Sequence, residues 1–376
     1  MVLLKRNSNE LLIAAADSII QCNFDKSTDH HIKIPDPILP DNLTKGQIEV
    51  LKSEVRTITS LEFSTNGQYT VVSTENKQVV VYDQHFNVVK NFIVTRAASK
   101  VCFTPENDIL VADKTGDVYL YKLSSDVDQP VLLLGHLSVI LDMLLSKCGK
   151  YIITCDRDEK IRVSHFPNCY NIASYCLGHT EFVTSIKLFD EVLVSASGDG
   201  TVRFWDFITG NQLGLVNVNE HIDPKELSDF SQEMDKEKVE VSALPIIDLQ
   251  VHYDDNSSRL YFAVSVYHCK SIQLYSTDLK KMVSCFVTKL SVDMLLGFSF
   301  TSELYVLSNQ LLCFQLIKDD FVEKDLPLLQ PLHHKYKVIL SQASDDFVTG
   351  LYKRKYDNVQ EYLERKKQRL EGNNKC

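Results

Sequence analysis

The chain has 376 residues, 44% of them apolar and 24% charged, which is enough apolar side chain for a full core and argues against a largely disordered chain. Its 40 basic and 50 acidic residues leave a formal charge of −10, so the surface as a whole is unsuited to neutralising nucleic-acid phosphates, and any such contact has to come from a local patch. No apolar run reaches the roughly 18 residues of a membrane span, and the N-terminus MVLLKRNSNELLIAAADSII lacks the apolar stretch of a secretion signal, so a soluble, unsecreted protein is expected.

Self-similarity at a period of about 40 residues organises everything that follows. In chain order, NELLIAAADSIIQCNF ends a repeat at Phe24, and residues 25–53, which carry Pro35, Pro37 and Pro40 among polar residues, read as an inserted loop. TSLEFSTNGQYTVVSTENKQVVVYD then closes at Tyr82 and ASKVCFTPENDILVADKTGDVYLYK at Tyr121. The two clearest copies run from Leu134 and from Leu177, and close at Ser164 and Trp205. Each reads Gly-His, an alternating apolar strand, a turn, a second strand, a charged turn holding an Asp, and a third strand. Counting the strand between repeats, that is one four-stranded propeller blade. SRLYFAVSVYHCKSIQLY closes at Tyr275 and TSELYVLSNQLLCFQL at Phe314, giving spacings of 39, 43, 41, 70 and 39 from Tyr82 onward. The 70-residue gap holds residues 217–240, eight acids against three lysines, which read as a flexible, solvated insertion ahead of a partner-binding acidic segment. Six blades are visible and the N-terminal segment supplies a seventh. The expected fold is therefore an all-β, seven-bladed propeller over residues 1–350, closed by the two chain ends.

Residues 351–376 change character. Val359, Tyr362, Leu363 and Leu370 share one helical face, Glu361 precedes Arg365 by four residues, and Asp357 or Asn358 can cap. With eight Lys or Arg against four acids the segment carries +4, so the first 350 residues sum to −14. Lys353, Arg354, Lys355, Arg365, Lys366, Lys367 and Arg369 of this short helical tail are the candidate RNA contacts.

His179, a serine (Ser195 or Ser197), Asp199 and Trp205 could suggest a catalytic triad. The same residue types recur one repeat earlier as His136, Thr154 and Asp158, and a set that repeats serves the repeat: a buried indole N–H needs an acceptor and a buried His needs its tautomer fixed. The one Gly-x-Gly, Gly198-Asp199-Gly200, lies in a blade turn and not between a strand and a helix, so no nucleotide or S-adenosylmethionine loop is visible. The pairs His30-His31 and His333-His334, read as strand residues pointing apart, make poor metal ligands. Ten cysteines without a CxxC read as free thiols of a cytosolic or nuclear protein. Convergent acids or metal ligands at repeat spacing on inner strands, which a channel enzyme would need, are not apparent. No catalytic residue, metal or cofactor is assigned.

The turns between second and third strands are unusually charged in two successive blades. One holds Asp113 and Lys114; the next holds Asp156, Arg157, Asp158, Glu159 and Lys160, followed by Arg162. Such turns emerge on one rim, so the two should lie side by side as a mixed-charge patch suited to a complementary protein surface. Arg162, in the register of Arg203, is expected at that rim with its guanidinium free to pair across an interface.

The stretches ILVADKTGDVYLY, LLGHLSVILDM, ITCDRDEKIRVS and CLGHTEFVTSI closely resemble the WD-repeat, non-catalytic subunit of the eukaryotic tRNA (guanine-N7) methyltransferase. The resemblance is dense over residues 96–206 and looser from Val55 to the C-terminal LYKRKYDNVQEYLERKKQRL. It implies a WD40 propeller in a heterodimer whose other, catalytic subunit binds S-adenosylmethionine and forms N7-methylguanosine in the tRNA variable loop, while this chain stabilises and positions it. Lys114, Glu159, Lys160 and Arg162 match the family's partner-contacting charges, and Cys155 stands where the family string has Ala. Mainly nuclear residence is also implied. The rival reading, a substrate receptor of a cullin-type ubiquitin ligase, lacks the Arg two residues after Trp205-Asp206, where Ile208 stands.

Overall fold

Runs such as Tyr69–Thr74 and Gln78–Asp83 are buried along nearly their whole length, whereas Val88–Ile93, the next strand out, is largely exposed. A strand covered on both faces reads as a continuous apolar run, and a strand covered on one side alternates. That gradient is what a blade looks like in sequence. The structure, a computed structural model, describes all residues except 1, 8, 40–43, 47, 48, 50–55, 126–128, 318, 319, 342–347 and 354–376. It contains seven four-stranded antiparallel sheets, each built from four consecutive strands. These blades 1 to 7 span residues 3–33, 58–93, 98–135, 140–176, 183–217, 246–291 and 297–323.

Apolar side chains of neighbouring blades interlock into clusters between sheets, for example Leu12, Ile19, Val72, Val80 and Tyr82 between blades 1 and 2. The ring closes without sharing a strand. Blade 1 abuts blade 7 directly, so closely that a Cβ on Gly297 would lie 2.6 Å from the Val2 carbonyl oxygen.

Three sequence expectations are corrected. Residues 25–53 are not all loop: Thr28–Lys33 is the fourth strand of blade 1, reached through a turn in which Ser27 takes a positive φ of 50°, and the prolines begin only beyond it. Residues 217–240 are not a flexible linker. A 3-10 turn (Val218–His221) leads into helix α1 (Pro224–Lys236), with Asp223 accepting from the Lys225 amide as N-cap and Pro224 in the first turn. Phe230 and Met234 on its inner face are buried, so the acids occupy only the outer face. The propeller body also extends past residue 350, because Leu351 and Tyr352 are buried against α1 and blade 5. A second helix, α2 (Leu332–Ser341), follows blade 7 and was not anticipated; His333 and His334 lie in it, not on a strand. The predicted tail helix and Arg354, Lys355, Arg365, Lys366, Lys367 and Arg369 lie outside the described residues.

A candidate partner-docking rim on blades 3 and 4

In blade 5 the anticipated network forms, and Ser195 is its serine. His179 Nδ1 lies 3.0 Å from Asp199, its Nε2 lies 2.7 Å from Ser195 Oγ, and Trp205 Nε1 donates to the same oxygen at 2.8 Å. Burial works against charge on Asp199, but bonds from His179, Thr201 and the Thr180 amide outweigh it and hold the carboxyl well below the usual range. Burial pushes the His179 imidazole down. With both imidazole nitrogens and the serine oxygen engaged, the set ties the link into blade 5 to its second and third strands and the turn between them.

Blade 4 departs from the copy. His136 Nδ1 pairs with Asp156 at 2.9 Å and its Nε2 meets Thr154 Oγ1 at 2.8 Å; Asp158, two residues on, does not take part. Asp156 also accepts from the amides of Asp158 and Lys160, which makes it the carboxylate that organises the turn. The expected roles of the two aspartates are therefore exchanged: Asp156 is buried structure, and Asp158 belongs to the surface patch. Aligning the repeats on Arg162 and Arg203 hid this, because the carboxylate has moved from the turn to the end of the strand.

Arg162 is corrected too. Its guanidinium is not free: Nε donates to Ser164 Oγ at 2.9 Å and the terminal nitrogens donate to the Gly135 and Cys169 carbonyls at 3.1 and 3.0 Å. Arg203 is likewise bonded within its blade, to Gln212 at 2.7 Å. Arg162→Glu should therefore destabilise the isolated propeller, by about 1–3 kcal/mol for the orphaned acceptors. Urea unfolding of the chain alone checks this, and unchanged stability would return Arg162 to the surface.

What remains at the rim is a patch built from blades 3 and 4. In an antiparallel blade the turn between second and third strands shares an end with the link from the preceding blade. The Lys114 turn and the Asp156–Lys160 turn thus flank residues 136–139: the His136 amide donates to Gly116 at 2.8 Å, and the Arg157 amide donates to Val139 at 3.1 Å. Lys114 is half-exposed and lies 3.8 Å from Glu75 of blade 2. Glu159 sits at φ 67° in the left-handed region, and Lys160 is exposed.

The C-terminal segment then folds over this turn. Arg157 Nε donates to the Leu351 carbonyl at 2.9 Å, the Tyr352 ring packs edge-on against Phe182 at 4.9 Å, and Lys353 Nζ pairs with Glu159 at 2.7 Å and Asp158 at 3.2 Å. Lys353, expected as an RNA contact, is thus spent on the propeller in this structure. Burial opposes ionisation of Asp158, yet the Lys353 ammonium holds its carboxyl below the usual range. Glu181 nearby is pushed up, by burial first and then by Glu159.

Sequence reasoning missed a second cluster. Lys5, Glu62, Lys100, Asp142 and Lys187 stand on the innermost strands of blades 1 to 5 and alternate in sign. Lys5 and Lys100 each approach Glu62 at 2.8 Å, Lys100 reaches Asp142 at 3.1 Å, and Lys187 lies 3.5 Å from Asp142. Inner-strand acids therefore do converge, contrary to expectation, but each is held between two lysines. Burial alone would raise Glu62, and the two ammonium groups instead bring it down to about 2. For Lys5, with one carboxylate partner, burial wins and lowers the ammonium; Lys100, between two, is raised. The spacing of 57, 38, 42 and 45 residues was the signal available. Among the described residues no three His, Cys, Asp or Glu side chains are grouped as a metal ion would require, nine cysteines are free, and no helix is long and apolar enough to cross a membrane.

Known proteins place this geometry in a family. The family described as the tRNA methyltransferase TRM82 WD40 domain matches residues 25–131 and 128–296. Among curated proteins, the tRNA (guanine-N(7)-)-methyltransferase non-catalytic subunit wuho of Drosophila mojavensis is 33% identical over 296 residues, covering 74% of this chain and 70% of that protein. The non-catalytic subunit wdr4 of Xenopus laevis is 31% identical over 335 residues, covering 84% of this chain and 81% of that protein. In fold alone, a chain of a mitotic checkpoint complex crystal structure superposes with a TM-score of 0.62 at 13% identity, over 82% of this chain and 87% of its own. The β-propeller domain of Myceliophteria thermophila Cps50 (Swd1) superposes with a TM-score of 0.59 at 12% identity, over 82% of this chain and 91% of its own. With a family match over more than half the sequence and relatives above 30% identity across most of it, the chain belongs to the tRNA methyltransferase TRM82 WD40 family.

Proposed function

We infer that this chain is the non-catalytic subunit of a tRNA (guanine-N7) methyltransferase, and that it holds the catalytic subunit on the rim of blades 3 and 4 described above. The observation that carries the reading is the naming of relatives that align over most of the chain as non-catalytic subunits of that enzyme. Two features of the molecule support it. The places where chemistry-bearing side chains converge, the His179 and His136 networks and the channel ring, are occupied by structural bonds, so the catalytic groups and the methyl donor belong on the partner. The rim presents Lys114 on one side and Asp158, Glu159 and Lys160 on the other, a mixed pattern that discriminates between protein partners more than it attracts a polyanion.

The charge distribution gives the arrangement a physical logic. An enzyme that acts on tRNA needs a basic face for phosphates, and a body whose first 350 residues sum to −14 can dock on it without competing for the RNA backbone. The last described residue before the basic tail, Lys353, pairs with the docking turn itself. Co-elution of the two purified proteins as one complex tests the pairing, and separate elution at micromolar concentration contradicts it.

Truncation after Lys353, not after Gly350, is the informative cut, because Leu351 and Tyr352 are part of the body. The truncated complex should bind tRNA more weakly and with a shallower dependence on salt, since fewer counterions are released; an unchanged salt slope would assign the tail elsewhere. Mainly nuclear residence is proposed on the same family reading, and imaging of the tagged chain tests it.

A further inference from the structure

Residues 136–139, the link into blade 4, run between the two charged turns and carry one side chain that serves neither blade. Leu137 is fully exposed, at 103% relative accessibility. Isolated exposed leucines are common on protein surfaces, and three observations set this one apart. The first is position: its loop is flanked by the Lys114 turn, through the His136 amide bond to Gly116, and by the Asp156–Lys160 turn, through the Arg157 amide bond to Val139. The second is rigidity. His136 is fixed by Asp156 and Thr154, and the approach of Gly116 is so close that a Cβ there would lie 2.5 Å from the Ser138 carbonyl oxygen, so the leucine is presented on a backbone already ordered. The third is that the position does not repeat. After the corresponding His179 of blade 5 stands Thr180, whose amide serves the blade by donating to Asp199.

We propose that Leu137 is the apolar centre of the docking rim and seats in a shallow apolar recess of the catalytic subunit. Around that recess the partner would present a carboxylate toward Lys114 and a Lys or Arg toward Asp158 and Glu159. An apolar side chain on a rigid loop, ringed by charges that exclude water, has the anatomy of an interface hot spot, and little ordering entropy is lost when it binds. The proposal rests on the docking reading given above.

The test measures affinity for the purified catalytic subunit from the same source. Leu137→Ser should weaken binding about tenfold or more, with the melting temperature of the propeller unchanged because the side chain touches nothing that folding buries. Leu137→Met should bind within about threefold of wild type, and Val283→Ser, at an exposed apolar position on blade 6, should have no effect. Wild-type affinity for Leu137→Ser, with Glu159→Arg impaired, would overturn the anchor and leave the rim standing. Wild-type affinity for both would overturn the docking reading itself. A lowered melting temperature for Leu137→Ser would show the leucine to be packing and likewise overturn the proposal.

Discussion

Lys100→Met should cost the propeller about 3–5 kcal/mol, the largest stability loss expected of any single surface-lining substitution in this molecule. Lys100 is the middle link of the channel ring and bridges Glu62 at 2.8 Å and Asp142 at 3.1 Å; without it two largely buried carboxylates are left with one cation each. Adding Glu62→Gln and Asp142→Asn to the same chain should recover much of the loss, since the penalty comes from uncompensated charge and not from a missing methylene. The ring also fixes a pH dependence. The folded-state pKa of Glu62 lies below its unfolded value of about 4.3, so its contribution is fully present above that pH and is lost as pH falls toward about 2. Urea titrations between pH 5 and 2 check this, and Glu62→Gln should flatten the profile.

The largest functional effect is expected at Glu159. In the free chain its carboxylate pairs with Lys353, which is half-exposed, and pairs of that kind contribute at most about 1 kcal/mol. On the proposed docking, reversing its charge sets an arginine against a cation of the catalytic subunit, a penalty on the order of 2–5 kcal/mol. Glu159→Arg should therefore weaken partner binding by about 30-fold or more and reduce tRNA methylation in proportion, while the melting temperature of the propeller hardly moves. The backbone argument supports that separation. Glu159 already sits at φ 67°, and arginine bears the same left-handed strain as glutamate. Glu191→Arg is the control, because the turn between the first and second strands of blade 5 lies at the opposite end of the blade. Equal binding by the two variants would move the interface off this rim.

The repeat was legible because a blade buries its middle strands on both faces and punctuates them with turns at fixed intervals. All six closing residues from Tyr82 to Phe314 fall in, or at the end of, the third strand of their sheets. What stayed hidden follows from physics that a repeat alignment does not carry. Helix α1 is acidic enough to pass for a linker, yet Leu227, Phe230 and Met234 recur at helical spacing beneath the acids, and Asp223-Pro224 is a helix start. The exchange of roles between Asp156 and Asp158 could not be seen, because either aspartate satisfies the pattern and only the turn geometry selects one. Arg162 looked free because two of its three acceptors, the Gly135 and Cys169 carbonyls, are backbone atoms with no sequence signature. The channel ring was missed for a different reason: lysine and acid alternate from blade to blade, so no residue type repeats in successive blades even though the position does.

Methyl transfer itself tests the central claim most directly. Three preparations, this chain alone, the catalytic subunit alone and the two together, are assayed on the same unmodified tRNA for N7-methylguanosine. The account predicts no product from this chain alone, little from the catalytic subunit alone, and a large gain when they are combined. Product from this chain alone, in a preparation free of other methyltransferases, would contradict it, as would a catalytic subunit whose yield is the same with or without the propeller.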